Sequence, residues 1–195
     1  MKTGKILLAI LLAGGISILI ALFGQNWLGD TQTASRPLPG LPKNTQDPLK
    51  HLPGFSLPAL DGQEIASSAW AGKVVILNFW ATWCLPCLSE LTVLLDAQSE
   101  SEQVRVIGIA IDTQEEVARY LARNPVNFPI LMGGTEAVEM SRRLGNRLQG
   151  LPFTVIFDSQ GRRVYAQLGE VTQEFLREKL APLIAEATRA QPTAN

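Results

Sequence analysis

The chain has 195 residues, of which 46% are hydrophobic and 18% charged, and its formal net charge at pH 7 is −1. A chain of this size and apolar content can bury one core of ordinary domain size and still carry appendages. Because phosphate binding requires clustered Lys and Arg, which this sequence lacks, we expect no nucleic-acid partner.

The N-terminal segment has the pattern of a membrane-spanning helix. Ile6 to Phe23 form a run without a charged side chain, and two lysines precede it. A helix of this length spans roughly 27 Å, close to the hydrocarbon thickness of a bilayer, and the lysines favour a cytoplasmic N-terminus. A cleaved signal peptide is the alternative, but Leu22 and Phe23 are bulky where a cleavage site needs small residues. We therefore predict a signal anchor within residues 1–28, a single-pass helix of the inner (cytoplasmic) membrane that leaves the rest of the chain on the outer, periplasmic or luminal, side.

A proline-rich stretch separates this segment from the rest of the chain. Five prolines and no periodic apolar pattern lie between Gly29 and Gly54, so we predict an extended spacer over residues 29–53. We expect a folded domain over residues 54–188 and a disordered tail over residues 189–195.

The first half of the predicted domain alternates strands with a helix. The stretch FSLPALDGQEIA predicts a short hairpin that turns at Asp61-Gly62. The run from Lys73 to Trp80 is rich in β-branched and aromatic residues, which is typical of a strand buried on both faces. A helix with leucines on one face then follows, and Val104 to Ile111 predicts a second buried strand.

The second half adds helices and a late hairpin. Thr113 and Glu116 form a capping-box pattern for a helix through Arg123, and a shorter helix is expected over residues 136–143. The stretch FTVIFDSQGRRVYAQLG predicts two strands joined by a tight turn, and residues 172–187 predict the final helix. Strands linked by helices imply a parallel part of the sheet, and the late hairpin adds an antiparallel edge. The predicted fold is a mixed α/β sheet with helices on both faces.

The only two cysteines, Cys84 and Cys87, lie three residues apart directly after the first buried strand. A structural disulfide here would close a loop too small to gain much chain entropy. A zinc site needs about four nitrogen or sulfur ligands, but the only histidine, His51, lies in the spacer, so we expect no metal. A redox-active pair at a helix start is favoured, because unpaired backbone N–H groups and the helix dipole there stabilise the thiolate that attacks disulfides. Pro86 is compatible with the first turn of such a helix.

The stretch NFWATWCLPC resembles the active-site segment of thioredoxin-like proteins. The chain as a whole resembles the membrane-anchored TlpA/ResA/DsbE group of bacterial envelope thiol–disulfide oxidoreductases. The matching stretches, in order between about Pro53 and Ala187, are GKVVILNFWATWCLPC, VIGIAIDTQEEVARYL, NFPIL and GLPFTVIFDSQGRRV. The resemblance implies a thioredoxin-like fold, in which a mixed central sheet is flanked by helices on both faces and carries an N-terminal hairpin and an inserted helix.

The resemblance also implies roles for residues around the cysteines. Cys84 is expected to be the nucleophile that forms a mixed disulfide with a client, and Cys87 the thiol that resolves it. Pro152 matches the family's cis-proline, which faces the cysteine pair; by base rates alone, a trans proline at the start of an edge strand is the alternative. The expected substrate-binding residues are Trp83, Pro86, Leu151 and Pro152.

Glu90 is the third expected catalytic residue. It follows Cys87 by one helical turn and matches a glutamate that some members of the group place near the thiols. A partly buried carboxyl there would exchange a proton with Cys87, whereas the alternative is a solvated glutamate that favours the helix start. Thioredoxins proper often carry a buried aspartate where this chain has Asn78, which cannot titrate.

The function that the resemblance implies is reduction of specific envelope protein disulfides, for example those of apocytochrome c during cytochrome c maturation. The expected partners are protein disulfide clients and a membrane thiol protein that donates electrons; no cofactor is expected. Oxidation of clients stays open, because cysteine spacing does not set the redox potential.

Two other functions stay open as alternatives. One is a non-catalytic, membrane-tethered docking module whose cysteines form a plain disulfide, and the other is a copper(I) chaperone, which would use soft sulfur ligands. The three methionines, Met1, Met132 and Met140, are remote from the cysteines in sequence, which disfavours copper. A thiol peroxidase is disfavoured because Leu77 and Ala81 stand where its P-x-x-x-[TS]-x-x-C pattern needs a proline and a hydroxyl residue.

Overall fold

The computed structural model describes residues 49–190, so the predicted anchor, the spacer up to residue 48 and residues 191–195 of the predicted tail lie outside it. In the described part, the strands are β1 (Ser56–Pro58), β2 (Glu64–Ala66), β3 (Val74–Trp80), β4 (Val104–Ala110), β5 (Ile130–Met132), β6 (Phe153–Phe157) and β7 (Arg163–Leu168). The α-helices are α1 (Leu85–Glu100), α2 (Gln114–Leu121), α3 (Thr135–Arg143) and α4 (Gln173–Ala190), and a 3₁₀ turn covers Ser67–Trp70.

Five strands form one mixed sheet in the order β5-β4-β3-β6-β7. The central strand β3 runs parallel to β4 and antiparallel to β6, and β7 pairs antiparallel with β6. Phe153 lies opposite Phe79 of β3 and opposite Leu168 of β7. The end of β3, the end of β4, the start of β6 and the end of β7 therefore meet at one edge of the sheet, which we call the β3 exit edge.

Both faces of the sheet are covered, which confirms the predicted architecture. Alternate side chains of β3 point to opposite faces, and every residue of this strand is buried. One set packs into a core cluster with α1 and α4, and the other packs with α3 and the N-terminal hairpin strands. The predicted burial of β3 on both faces is confirmed, and Trp80 is fully buried.

The edge strand β5 was absent from the predicted elements. It is only three residues long and pairs parallel with β4 through Gly108 and Ile130. Pro125 and Pro129 precede it, and a strand this short carries no periodic signal. The stretch NFPIL, known only as part of the family resemblance, therefore supplies the outer strand of the sheet.

Two local predictions, the hairpin turn and the helix cap, are confirmed. The hairpin β1–β2 pairs antiparallel and turns through Gly62, whose φ of 84° suits a glycine. The Thr113 hydroxyl accepts a hydrogen bond from the Glu116 N–H at 3.3 Å and so caps α2. This helix ends at Leu121 rather than at the predicted Arg123.

The folded part of the chain is longer at both ends than predicted. Residues 49–53, assigned to the spacer, pack on the domain: the Leu52 N–H donates to the Gly161 carbonyl and the Arg163 N–H to the Lys50 carbonyl, both at 2.7 Å. Helix α4 continues to Ala190, beyond the predicted start of the tail. Between residues 49 and 190, no helix combines the length and the apolar character that crossing a bilayer requires.

Candidate active site

The two cysteines lie where β3 leaves the sheet and α1 begins, and they form a disulfide with each other. Cys84 is the N-cap residue of α1, and its Sγ accepts a hydrogen bond from the Cys87 N–H at 3.3 Å. Pro86 lies in the first turn of the helix, where its missing N–H leaves no bond unmade. The predicted placement of the pair at a helix start is therefore confirmed, with Cys84 one step before the helix and Cys87 inside its first turn.

The two sulfur-bearing residues differ in how solvent reaches them. Cys84 is 6% exposed and Cys87 is 0% exposed. The neighbours of Cys84 are open to solvent: Trp83 is 68% exposed and Leu85 is 77% exposed. Of the two cysteines, only Cys84 therefore retains any exposure, and the residues on either side of it are open to solvent.

The loop before Cys84 is held by Asp112, which follows β4 at the same edge of the sheet. The Asp112 carboxylate accepts hydrogen bonds from the Thr82 N–H at 2.9 Å, from the Thr82 hydroxyl at 2.5 Å and from the Thr113 N–H at 2.8 Å. Burial alone would raise the pKa of Asp112, but these hydrogen bonds outweigh it and hold the pKa below its ordinary value. Asp112 was not among the residues predicted from the sequence; the available signal was a carboxylate directly after the strand that runs parallel to β3.

The Glu90 side chain is fully buried and accepts three hydrogen bonds. Its Oε1 accepts from the Thr154 hydroxyl at 3.0 Å and from the Val171 N–H at 3.1 Å, and its Oε2 accepts from the Asn78 amide at 2.8 Å. These donors come from β6, from the segment before α4 and from β3. The alternative of a solvated glutamate is therefore wrong.

Burial shifts the proton affinity of this carboxyl into the physiological range. Desolvation raises the pKa of Glu90 from 4.5 to about 7, although the bonds from Val171, Thr154 and Asn78 each lower it, and the charge of nearby Glu170 raises it further. A carboxyl with a pKa near neutrality can both accept and donate a proton under physiological conditions.

Asn78 cannot titrate, but it belongs to the hydrogen-bond network of the site. Its amide nitrogen donates to Glu90 and also to the Thr154 hydroxyl at 2.9 Å, so it positions both groups. In the described part of the chain its carbonyl oxygen has no hydrogen-bond partner, so the amide is oriented by its donated bonds. The contacts of Thr154 and Val171 with Glu90 could not be predicted from the sequence, because these residues lie 64 and 81 positions from Glu90 along the chain.

The peptide bond between Leu151 and Pro152 is cis, as the resemblance implied. Pro152 directly precedes β6, and its carbonyl accepts a hydrogen bond from the Gly169 N–H at 2.9 Å. Leu151 packs against the core cluster that contains Cys84 and Cys87. The structure thus places every predicted site residue on α1, on the loop before it, or at the β3 exit edge.

The buried carboxyl predicts how stability depends on pH. Because the folded-state pKa of Glu90, about 7, exceeds the 4.5 of an exposed glutamate, its contribution to stability is complete below pH 4.5 and is lost as pH rises through 7. The change is at most about 3 kcal/mol in the free energy of unfolding. We expect urea unfolding of the oxidised protein, in which the thiols cannot titrate, to show this decline between pH 5 and 8, and Glu90→Gln to remove it.

Glu102→Gln provides the matched control, since Glu102 is exposed in the turn between α1, the helix of Glu90, and β4. This variant should keep the wild-type dependence on pH. Parallel pH profiles for the wild type and Glu90→Gln would contradict the raised pKa.

The sequence of the chain is similar to those of known proteins. The family model described as Redoxin matches residues 48–181. The thiol-disulfide oxidoreductase ResA of Bacillus thuringiensis subsp. konkukian is 31% identical over 136 residues, which cover 67% of this chain and 75% of that protein. The thioredoxin-like protein YneN of Bacillus subtilis is 28% identical over 168 residues, or 84% of this chain and 93% of that protein.

Solved structures agree with this assignment. A secreted thiol-disulfide isomerase from Corynebacterium glutamicum superposes with a TM-score of 0.61 at 27% identity, covering 69% of this chain and 85% of that one. A thiol:disulfide interchange protein of the thioredoxin family from Chlorobium tepidum gives a TM-score of 0.62 at 24% identity, covering 69% and 96%, and supports the fold. The chain therefore belongs to the redoxin family, and it is a thioredoxin-like thiol–disulfide oxidoreductase with a Cys-X-X-Cys pair.

Proposed function

We propose that this protein reduces specific disulfides of envelope proteins through the dithiol form of Cys84 and Cys87. The observation that carries the proposal is the Cys84–Cys87 disulfide at the start of α1, in which Cys84 retains 6% exposure and Cys87 none. In the reduced protein, the Cys87 N–H that now points at the Cys84 sulfur would stabilise a thiolate there, together with the positive end of the helix dipole.

The exchange proceeds in two balanced steps. The Cys84 thiolate attacks one sulfur of the client disulfide, and the other client sulfur leaves as a thiolate that takes up a proton. Cys87 then loses its proton and attacks the Cys84 sulfur, so the intramolecular disulfide forms and the first client sulfur leaves as a thiol. Two electrons pass from the dithiol to the client. The donor that restores the dithiol is, in this proposal, a thiol protein of the membrane.

Glu90 supplies the proton exchange in this scheme. It lies three residues after Cys87, a spacing that brings two side chains onto one face of a helix. Its Oε1 already accepts two hydrogen bonds, whereas Oε2 accepts one, so Oε2 keeps a free position for the proton that Cys87 releases. Burial of both groups favours transfer between them over loss to water.

In this proposal, the client binds the residues around the Cys84 sulfur. Trp83 offers a large apolar surface beside Cys84, and Pro86 lies in the first turn on the same helix. Leu151 and Pro152 lie at the β3 exit edge, where an extended client segment would pass next to Cys84. Haem-binding cysteines of apocytochrome c are the client class that we propose.

Variants of the two cysteines test which sulfur attacks the client disulfide and which resolves the mixed disulfide. We expect Cys84→Ser to abolish reduction of protein disulfides, and Cys87→Ser to accumulate a mixed disulfide between Cys84 and the client, because the second step is then blocked. Mass spectrometry of the trapped species identifies both the client and the attacking cysteine.

The potential of the pair, measured against glutathione, separates the proposal from its alternatives. A reductant should lie well below the oxidase scale of about −120 mV, and a value near that scale would overturn the proposed direction. Function that survives without either thiol would support a non-catalytic docking module. Copper binding with loss of thiol exchange would support a copper(I) chaperone.

The proposed location is the outer side of the inner membrane, with the run from Ile6 to Phe23 as an uncleaved anchor. We expect the full chain in the membrane fraction, released by detergent and not by high salt. The variant Leu12→Arg places a charge in the centre of the run, at a cost of about 3 kcal/mol, and should weaken retention. A shortened, soluble wild-type product would contradict the anchor.

A further inference from the structure

A groove between α3 and the residues around β1 is separate from the cysteine pair. Its volume is about 460 Å³, within the range of roughly 300–1,000 Å³ that is typical of small-molecule sites. Its apolar lining belongs to the core cluster on the face of the sheet that α3 covers, whereas Cys84 and Cys87 belong to the cluster on the other face. The proposed thiol exchange therefore makes no use of this groove.

Most of the lining of the groove is apolar. The apolar lining residues are Leu49, Pro53, Phe55, Leu57, Ala137 and Met140. Leu57 and Ala137 are buried, and the other four are partly buried. The helical wall of the groove extends from Thr135 to Arg143, a length of about 12 Å at a rise of about 1.5 Å per residue. An apolar chain that enters the groove would therefore remove its surface from water along two turns of α3.

Arg143, the last residue of α3, brings a positive charge to one end of the groove. Its Nε is buried and has no hydrogen-bond partner among residues 49–190, a costly state for the N–H of a charged group. Its backbone is held in place, because its carbonyl accepts a hydrogen bond from the Leu49 N–H at 2.8 Å. The side chain of Arg163 donates to the Leu144 carbonyl, so a second cation lies at the same end of the helix. The buried Nε–H of Arg143 is therefore available to an acceptor that enters the groove.

The two acidic side chains that line the groove do not supply this acceptor. Glu139 bonds to Arg142 through both carboxylate oxygens, at 2.6 and 2.8 Å, which makes a bidentate pair. The hydrogen bonding with Arg142 is the first cause that holds the pKa of Glu139 below its ordinary value, and the charge of Arg143 makes a smaller contribution. Glu136 lies in the first turn of α3, roughly 10 Å from Arg143 along the helix axis. The groove is thus positive at the end of Arg143 and negative at the opposite end.

We propose that this groove binds a small carboxylate with an unbranched apolar chain, of the chemical class of medium-chain fatty acids. The carboxylate accepts a hydrogen bond from the Arg143 Nε, and the chain packs along Phe55 and Met140. Charge complementarity at Arg143 selects a carboxylate over an alcohol or an amine. The helical wall of about 12 Å accommodates a chain of about eight carbon atoms.

The test follows Met140 by NMR of the full chain, with isotope-labelled methionine methyl groups, in lipid nanodiscs at pH 7. Met140 lines the groove, whereas Met132 does not and serves as the internal control. Octanoate is the probe and octanol is its uncharged analogue, compared at matched free concentrations. We expect octanoate to shift the Met140 signal but not the Met132 signal. Its dissociation constant should lie about tenfold below that of octanol, as one charge-assisted hydrogen bond would give.

Arg143→Gln should remove the preference for octanoate over octanol. Arg147→Gln is the matched control and should retain the preference, because Arg147 is exposed beyond the end of α3 and does not line the groove. A preference that survives in Arg143→Gln would overturn the proposal.

The wild type alone also decides the question, so the test stands even if Arg143→Gln fails to fold. Equal binding of octanoate and octanol would overturn the carboxylate site. A Met140 signal that octanoate leaves in place would overturn it as well, because the groove is then closed to small acids by another part of the chain or by a second copy. Disulfide reduction is measured separately, and its failure would refute the proposed function without affecting the groove.

Discussion

The site depends on the hydrogen bonds that hold the buried carboxyl of Glu90. This carboxyl is enclosed by donors from β3, from β6 and from the segment that leads into α4, and it belongs to α1, the helix that begins at the cysteine pair. An unpaired carboxylate in such a place would be strongly destabilising, and the three hydrogen bonds offset only part of that cost. The balance leaves its pKa at about 7, so the group that fixes α1 against the sheet also has the proton affinity that the proposed exchange with Cys87 requires.

The start of α1 separates the roles of two chemically identical cysteines. Cys84, at the N-cap, has residual exposure and a backbone donor directed at its sulfur, whereas Cys87 is enclosed by the core. Asp112, which follows the parallel strand β4, holds the loop before Cys84 by accepting a hydrogen bond from the Thr82 N–H. The first cysteine is thus the more accessible of the two and the second is enclosed, which is the order that two-step exchange requires.

Much of the site could be predicted from the sequence because its signals are local. The Cys-X-X-Cys spacing, the apolar run of β3 and the hairpin turn at Gly62 each occupy a few consecutive residues. The cis peptide before Pro152 needed the family resemblance, since base rates alone favour trans. Local sequence patterns carry no information on strand register or tertiary packing. They could therefore not predict the bonds of Thr154 and Val171 to Glu90 or the contacts of residues 49–53.

The measurement that most directly tests the role of Glu90 is the rate at which Cys87 resolves a mixed disulfide on Cys84, followed as a function of pH. In the wild type we expect this rate to rise with pH through about 7, because the ionised Glu90 carboxylate then accepts the Cys87 proton. In Glu90→Gln the rise should move toward the value of about 8.5 typical of a free thiol. Identical pH profiles for the two proteins would contradict the assignment of Glu90 as the proton acceptor.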